Sequence, residues 1–374
     1  MSENIKQLEE FIESTKHLPA QKTTEWVNNR CNTVGASEIK DIFPTKKGEY
    51  NSMANLVANK IGNKSKFQGN VSTRFGNLFE NVSRMFAHHI TQCKTPIYET
   101  GSLPGPLERQ SYSPDGIGVV DITFEDDKYE CVVLFEFKCP PKTEPNGSVP
   151  PQYAHQLQAG LTTVEFASYM IFINNSYRKC AFNNLDFTPK YDKNFHNDSR
   201  FKIPLKETYA FGIIGLYVKE ESNLEYRDYG PSHEFEFNNI LELVEQGHVS
   251  VWYSNISYND NLINIDYVEA HQPDLLSNKY HRDELMDDFN TFCASSNYKK
   301  IGIIPWKLCR ADVLLIDYDP KWEVAAQKHL KNFWKIVDHI KASDNPALEY
   351  YNLYPDKNIT IEITDSTYDS DSDA

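Results

Sequence analysis

Residues 113–140 read SPDGIGVVDITFEDDKYECVVLFEFKCP, and they carry the clearest structural pattern in the chain. Two segments within it, 115–124 and 129–139, are rich in β-branched and aromatic residues. They flank the charged segment EDDK, and this arrangement is typical of two strands joined by a short turn. We therefore predict a β-hairpin.

The second predicted strand carries an acid and a base two residues apart, Glu136 and Lys138. Because alternate side chains of a strand share a face, both should project to one side while Phe135 and Phe137 face the core. Asp115 stands at the start of the first strand, so strand pairing would bring it close to Glu136. Two carboxylates in one cleft form a site suited to Mg²⁺ or Mn²⁺, and the backbone carbonyl of Phe137 would add a third ligand.

This combination fits phosphodiester hydrolysis, which needs positive charge on the phosphate, a deprotonated water and a stabilised leaving oxygen. A carboxylate-bound cation supplies the first two. Lys138 would orient the attacking water or neutralise the charge that develops on the phosphate. Each fragment alone has a plainer explanation, because E-x-K on a strand is a common surface ion pair and S-P-D-G an ordinary turn.

Hydrophobic periodicity predicts the elements around the hairpin. Helices are predicted over 1–17, 35–43, 51–61, 75–90, 152–164 and from Pro320 onward, and a buried strand over 168–174. The central order is thus helix, strand, strand, helix, strand, which favours an α/β fold with a mixed sheet flanked by helices. Residues 175–300 have weaker periodicity and receive no firm assignment.

Composition limits the class of protein. The chain has 374 residues, 40% of them hydrophobic, and no apolar stretch long enough for a membrane helix or a secretory signal. Its seven cysteines are scattered singly, so we expect a reducing, intracellular compartment. The net charge of −15 argues against indiscriminate nucleic-acid binding and restricts any DNA site to a local basic patch. Residues 356–374 read as an acidic flexible tail.

Several segments in order resemble the phage lambda-type exonucleases, that is, the YqaJ-like viral recombinase or alkaline exonuclease branch of the PD-(D/E)XK nuclease superfamily. WVNNR at 26–30 followed by GASE at 35–38 resembles the amino-terminal element of that family. GNLFE at 76–80 resembles its metal-site helix, and FEFKCP at 135–140 its catalytic strand. QLQ at 156–158 resembles its Q-x-Q element. The similarity is strong over residues 20–175 and loose beyond them.

The resemblance implies a role for each matched residue. It implies a restriction-endonuclease-like core with Asp115, Glu136 and Lys138 as catalytic residues. It implies that Glu80 completes the metal site and that Gln156 or Gln158 positions water or substrate. Arg30 and Ser37 would then bind a DNA phosphate. We expect residues 1–175 to hold the core and all these motifs, and 176–355 to continue or elaborate the same domain.

The implied activity is a processive 5′-to-3′ exonuclease on double-stranded DNA ends, serving viral recombination, repair or replication. Mg²⁺ is the expected cofactor, with Mn²⁺ able to substitute and two ions in each site. A single-strand annealing protein is an expected partner, the assembly is a monomer or a trimeric ring, and a viral member would act in the host cytoplasm. Two alternatives stay open: an endonuclease or 3′-directed nuclease on the same core, and an inactive DNA-binding module.

Overall fold

The computed structural model describes residues 1–19, 23–44, 52–62, 70–125, 127–141, 143–187, 208–219, 223–230, 234–259 and 280–355. The predicted acidic tail and parts of the unassigned tract 175–300 lie outside these residues. Among the residues described, none of the helices has the length and apolar character that a membrane span requires.

Helices flank the sheet and are listed here with their bounds. They are α1 (Glu3–Thr15), α2 (Thr24–Asn29), α3 (Ser52–Ile61), α4 (Val71–Ile90), α5 (Pro151–Thr163), α6 (Glu234–Glu245), α7 (Arg282–Ser295), α8 (Pro320–Lys341) and α9 (Pro346–Leu353). The predicted helix over 35–43 is a single 3₁₀ turn, Ile39–Ile42. Local signals set several helix starts: the Asn70 side chain accepts a hydrogen bond from the Thr73 N–H at 2.9 Å, and Pro320 occupies the first turn of α8.

The strands fall into two sheets. They are β1 (Val34–Gly35), β2 (Leu103–Pro104), β3 (Gln110–Tyr112), β4 (Gly116–Phe124), β5 (Asp127–Lys138), β6 (Tyr169–Lys179), β7 (Ala210–Val218), β8 (Arg227–Asp228), β9 (Ser250–Tyr253), β10 (Ser257–Tyr258) and β11 (Lys299–Ile316). Strands β1, β3 and β2 form the small sheet, and the other described strands form the large one.

The predicted hairpin is confirmed as the antiparallel pair β4 and β5, in which Gly116 lies opposite Phe135. Strand β6 pairs parallel with β5, and α5 forms the connection between them. The order across the large sheet is β10-β7-β11-β6-β5-β4, with β8 and β9 paired to β11 and β7. Parallel and antiparallel pairs thus share one sheet, and the predicted α/β fold with a central mixed sheet flanked by helices is confirmed.

A different set of helices packs on each face of the large sheet. Phe135, Phe137 and Ile173 belong to the apolar cluster that α4 and α6 cover. Leu134 and Phe172, whose side chains point the other way, belong to the cluster that α5 and α8 cover. The predicted alternation in β5 is therefore confirmed, and the face that carries Glu136 is the one beneath α5.

The long strand β11 joins the two halves of the chain. It pairs with β6 on one side and β7 on the other, so residues before and after the predicted boundary at 175/176 lie in one sheet. Strand β6 itself crosses that boundary. Within the tract 175–300, β7 lies in the interior of the sheet and is buried along its whole length, so its sequence shows no alternation.

Candidate active site

The end of the hairpin brings the predicted acids and base together. Glu136 is fully buried, and its Oε1 contacts Lys138 Nζ on the same face of β5. Asp115 Oδ2 accepts a hydrogen bond from the Phe137 N–H at 2.9 Å, just beyond the last pair of β4 with β5. Asp115, Glu136 and Lys138 line one cleft of about 160 Å³, as the sequence pattern predicted.

The Phe137 backbone also faces Asp115. In a strand, the N–H and C=O of one residue point to the same neighbour. Since the N–H of Phe137 meets Asp115, its carbonyl points to the side of the sheet where Asp115 lies. This direction agrees with the predicted third ligand.

Arg84 holds the Asp115 turn against α4, and the sequence did not reveal this contact. Its Nη2 donates to the Asp115 backbone carbonyl at 3.2 Å and lies 3.5 Å from Glu80 Oε1. Its Nη1 pairs with Glu99. A single arginine therefore connects the predicted metal-site helix to the start of β4. An arginine four residues after Glu80 is a usable signal, because i and i+4 share a helix face.

Helix α5 brings one of the two predicted glutamines into the site. Gln156 Nε2 donates to Glu136 Oε1 at 2.5 Å. Gln158 does not face the cleft: its amide donates to the Asp317 carbonyl and accepts from the Asp319 N–H, both at 2.8 Å. Side chains two positions apart in an α-helix point in directions that differ by about 200°. The structure therefore places Gln156 at Glu136 and places Gln158, the other predicted glutamine, at the start of α8 and away from the carboxylates.

Charge is crowded around the buried glutamate. Burial and the neighbouring Asp115 carboxylate raise the pKa of Glu136, although Lys138 acts against this rise. Burial works to lower the pKa of Lys138, but Glu136 and Asp115 outweigh it, so the lysine stays protonated. Glu80 also acts to raise the pKa of Glu136. Three carboxylates, those of Asp115, Glu136 and Glu80, thus lie close together beside Lys138 and Arg84, and a divalent cation would relieve the repulsion between them.

Two tyrosines at the site were not singled out from the sequence. Tyr112 is 1% exposed, and its hydroxyl lies 3.5 Å from Glu136 Oε2. Burial and the nearby carboxylates raise the pKa of Tyr112 well above its usual value, so the phenol keeps its proton. Lys138 Nζ lies 5.1 Å from the centre of the Tyr153 ring, within range of a cation–π contact. With 22 tyrosines in the chain, no sequence signal marks these two.

Arg30 and Ser37 line the same cleft as the carboxylates. The guanidinium lies over the Trp26 ring, 4.7 Å from its centre, and 3.1 Å from Glu38 Oε2. Its Nη2 lies 3.5 Å from Ser37 Oγ. The matched segments WVNNR and GASE therefore form one unit, in which Trp26 and Glu38 fix the direction of Arg30.

Glu38 has a second cation and a backbone donor. Lys60, which is 3% exposed, lies 3.0 Å from Glu38 Oε2, and the Gly35 N–H donates to the same oxygen at 2.9 Å. Burial alone would raise the pKa of Glu38, but Lys60 and Arg30 together lower it. The carboxylate is therefore a charged anchor, and Arg30 keeps guanidinium edges that other acceptors can use.

The donors fit a hard divalent cation. Asp115 and Glu136 supply carboxylate oxygens and Phe137 a carbonyl, the ligand types that Mg²⁺ and Mn²⁺ prefer. Among the residues described, no group of three or more His, Cys, Asp or Glu side chains is arranged to hold a metal ion. The backbone carbonyl and water would complete such a site. Glu80 pairs with Arg84 and would have to change partner to join it.

Comparisons with known proteins bear on these residues. Residues 25–167 match the family described as the YqaJ-like viral recombinase domain. A protein of African swine fever virus, Malawi tick isolate, is 26% identical over 266 residues, which cover 66% of this chain and 75% of that protein. Its counterpart in the Vero-adapted Badajoz strain is 26% identical over 257 residues, covering 64% and 72%.

Among solved structures, an alkaline exonuclease from Laribacter hongkongensis has 22% sequence identity and a TM-score of 0.31, covering 41% of this chain and 74% of that one. Its complex with dAMP gives the same identity and TM-score. The residues that line the cleft, from Trp26 to Gln156, all lie within the matched segment. The resemblance that the motifs predicted is therefore confirmed, because residues 25–167 of this chain match the YqaJ-like viral recombinase family.

Proposed function

We propose that this chain is a metal-dependent DNA exonuclease that hydrolyses phosphodiester bonds at duplex ends in the 5′-to-3′ direction, in viral DNA recombination, repair or replication. One observation carries the proposal: Asp115, Glu136 and Lys138 line the same cleft as Arg30 and Ser37. An acidic pair beside a lysine suits hydrolysis of a phosphate ester. An arginine and a serine in the same cleft suit binding of a second phosphate.

Asp115, Glu136 and the Phe137 carbonyl would hold Mg²⁺, with Mn²⁺ able to substitute. Glu80 would help to hold a second ion. Bound there, the cation supplies a Lewis acid for the scissile phosphate and a more acidic water. The negative charge gathered at this end of the hairpin supports this assignment.

Lys138 and Gln156 would then position the attacking water. Both side chains contact Glu136 Oε1, so they are held on one side of the carboxylate. The protonated lysine can donate to the water and to a phosphate oxygen, which offsets charge in the transition state. Tyr112 stays neutral beside Glu136 and can act only as a hydrogen-bond donor to it.

The direction of digestion would depend on Arg30 and Ser37. If they bind the terminal 5′ phosphate, the wild-type protein should digest a 5′-phosphorylated duplex faster than a 5′-hydroxyl duplex. Arg30→Gln should remove most of that preference, a loss of about tenfold or more for one charge-assisted contact. Initial rates on the two substrates measure it.

Arg109→Gln is a matched control for Arg30→Gln. Arg109 also lies over a tryptophan, Trp334, at 4.5 Å, and also pairs with an acid, Asp338, but it does not line the cleft. It should keep the preference for 5′ phosphate. Equal preference in Arg30→Gln and the wild type would remove the phosphate role of Arg30.

Metal binding should tighten as the pH rises. The pKa of Glu136 is raised to about 8 by burial and Asp115, so a proton competes with the cation at neutral pH. Without the cation, this raised pKa also makes folding stability fall as the pH rises through about 8. We therefore expect the affinity for Mn²⁺ to increase on the order of tenfold between about pH 6.5 and 8.5.

Calorimetric titration with Mn²⁺ at several pH values measures this change. The increase should disappear in Glu136→Gln, whose side chain has no proton to release. An affinity that does not depend on pH, or that falls as the pH rises, would contradict the assignment of Glu136 as a ligand.

Three substrates test the activity itself: a linear duplex labelled at the 5′ end, the same duplex labelled at the 3′ end, and a covalently closed circle. We expect immediate release of the 5′ label and late release of the 3′ label, dependent on Mg²⁺, with the circle left intact. Ready cleavage of the circle would make the protein an endonuclease. Early loss of the 3′ label would reverse the polarity, and binding without cleavage would indicate an inactive module.

We also propose that residues 1–175 hold the nuclease core and that 176–355 continue the same domain. The pairing of β11 with β6 supports this proposal, because it joins the later part of the chain to the sheet that carries the core. Three expectations stay predictions: a single-strand annealing protein as partner, action in the host cytoplasm, and assembly as a monomer or homotrimer. Sedimentation with and without duplex DNA would measure the oligomeric state.

A further inference from the structure

The sheet face that carries Glu136 and Lys138 changes character along its strands. Near α5 and α8 this face is apolar, and near α7 it is apolar again, with Ile303 and Phe211 in a separate cluster. Between the two clusters the residues are polar. In the strand register, Lys138 is level with Asn174 of β6, and Arg178 of β6 is level with Lys307 of β11.

We name this band the polar trench and define it by Asn174, Ser176, Arg178 and Lys307. The first three alternate along β6, so they point to the same face as Lys138. From Asn174 to Arg178 the strand advances four residues, about 13 Å at roughly 3.3 Å each. The trench therefore begins beside the catalytic lysine and leads away from it across two strands.

The side chains of the trench are buried. Asn174 is 2% exposed, Ser176 1%, Arg178 5% and Lys307 6%. Asn174 Oδ1 and Ser176 Oγ have no hydrogen-bond partner among the residues described. A buried polar atom without a partner has lost its hydration without replacement, so two of them side by side call for a ligand or water.

The two cations of the trench are held by carboxylates from loops. Arg178 Nη2 lies 3.8 Å from Glu144 Oε1, and Lys307 Nζ lies 3.3 Å from Asp186 Oδ1. The loop that contains Glu144 is tethered by the Gly147 N–H, which donates to Asp312 Oδ2 at 2.6 Å. The separation of 3.8 Å is longer than a direct charge-assisted hydrogen bond, whereas Arg178 Nη1 donates to the Tyr177 carbonyl at 2.9 Å.

The hydrogen-bonding groups of the trench suit a phosphate. A guanidinium and an ammonium on adjacent strands supply positive charge, while a hydroxyl and an amide supply neutral donors. Like charges level with each other on neighbouring strands repel, and an anion between them removes that repulsion. Glu144 occupies the position next to Arg178 that such an anion would take.

We propose that the polar trench binds a backbone phosphate of the DNA strand, one or more nucleotides from the scissile phosphate, in exchange for Glu144. This site rests on the proposed nuclease function and adds to it a second anchor for the strand. It is distinct from the Arg30 unit, which lies on the small-sheet side of the cleft. The trench then keeps the strand in line with Lys138 while the end is cleaved.

Each test variant is compared with a control variant at a similarly buried residue, so that an effect on DNA binding can be distinguished from an effect on folding. Ser176→Ala should weaken binding of a 5′-phosphorylated duplex about tenfold, the loss of one hydrogen bond to a charged group. Ser257→Ala is its control, because Ser257 is equally buried and its Oγ likewise lacks a partner among the described residues, but it lies on the edge strand β10. Neither change should lower the melting temperature, since each removes an unsatisfied hydroxyl.

Lys307→Met should also weaken binding about tenfold and reduce the salt dependence by about one phosphate contact. Its control is Lys179→Met: Lys179 is 7% exposed on the same strand as Arg178 but lies over the Phe237 ring on the opposite face. Affinities are measured by titrating labelled duplex in buffer where Ca²⁺ replaces Mg²⁺ and no cleavage is detected, over a series of salt concentrations.

Glu144→Gln has opposite outcomes under the two explanations. If Glu144 competes with a phosphate, the change should tighten duplex binding severalfold. If Glu144 only supports the loop, binding should stay the same or weaken. The proposed phosphate site is overturned if Glu144→Gln binds duplex no more tightly than the wild type and if Ser176→Ala and Lys307→Met bind as their controls do. If the wild-type protein still cleaves DNA in that case, the proposed nuclease function stands. A wild-type protein that binds no duplex overturns both.

Discussion

Replacing Asp115 with alanine should lower the rate of Mg²⁺-dependent DNA cleavage by at least about a thousandfold while duplex binding persists. The substitution removes a carboxylate oxygen from the site where the cation would lie and leaves Glu136 and the Phe137 carbonyl to hold it. It also takes the acceptor away from the Phe137 N–H, so the strand carrying the predicted carbonyl ligand is less well fixed. Single-turnover rates and duplex affinity, measured on the same preparation, separate these effects.

Asp121→Ala is the matched control for this experiment. Asp121 lies on β4 as well, but it pairs with the surface lysines Lys94 and Lys128 and does not line the cleft. This variant should cleave at the wild-type rate, because surface ion pairs contribute about 1 kcal/mol or less to stability. Undiminished cleavage by a correctly folded Asp115→Ala protein would remove Asp115 from the active site and with it the proposed metal ligands.

Lys138→Met should reduce the maximal cleavage rate about a hundredfold or more without weakening Mn²⁺ binding. Methionine keeps most of the length and the apolar stem of lysine but cannot donate a proton or carry charge. Removing an ammonium from between Glu136 and Asp115 leaves their attraction for a cation unchanged or stronger. The rate falls because the water and the developing phosphate charge lose their donor.

Lys128→Met provides the comparison on the same strand. Lys128 is half exposed and pairs with Asp121 at the far end of the hairpin, so its loss should not change the maximal rate. If Lys138→Met lowers Mn²⁺ affinity as much as it lowers the rate, the lysine organises the carboxylates and has no direct part in the reaction. A normal rate in Lys138→Met would exclude it from the chemistry.

The local part of the site was predictable from the chain alone. Side-chain direction in a strand alternates with a period of two, so Glu136 and Lys138 had to share a face if the segment 129–139 formed a strand. The β-branched and aromatic residues, together with the charged turn, made that strand the favoured structure. The same argument placed Phe135 and Phe137 in the core, where they are 0% and 5% exposed.

Contacts between distant segments could not be predicted in this way. Gln156 and Gln158 belong to one short motif, and nothing in the sequence distinguishes which of them faces the site. Only the docking of α5 between β6 and α8 shows that Gln156 reaches Glu136 while Gln158 reaches the start of α8. The contact of Arg84 with Asp115, 31 residues apart in the chain, likewise depends on how α4 packs against the hairpin.

The hairpin and the shared face of acid and base could be predicted from the sequence because each depends on residues close together in the chain. The family resemblance could be predicted because the order of its motifs is read along the chain without knowledge of the fold. Tertiary structure alone decided that β11 lies between β6 and β7, and thereby which polar side chains follow Lys138 across the sheet. Strand β11 pairs with residues of β6 and β7 that lie 81 to 146 positions earlier in the chain. Such pairing depends on the total burial of both faces, and no local pattern encodes it.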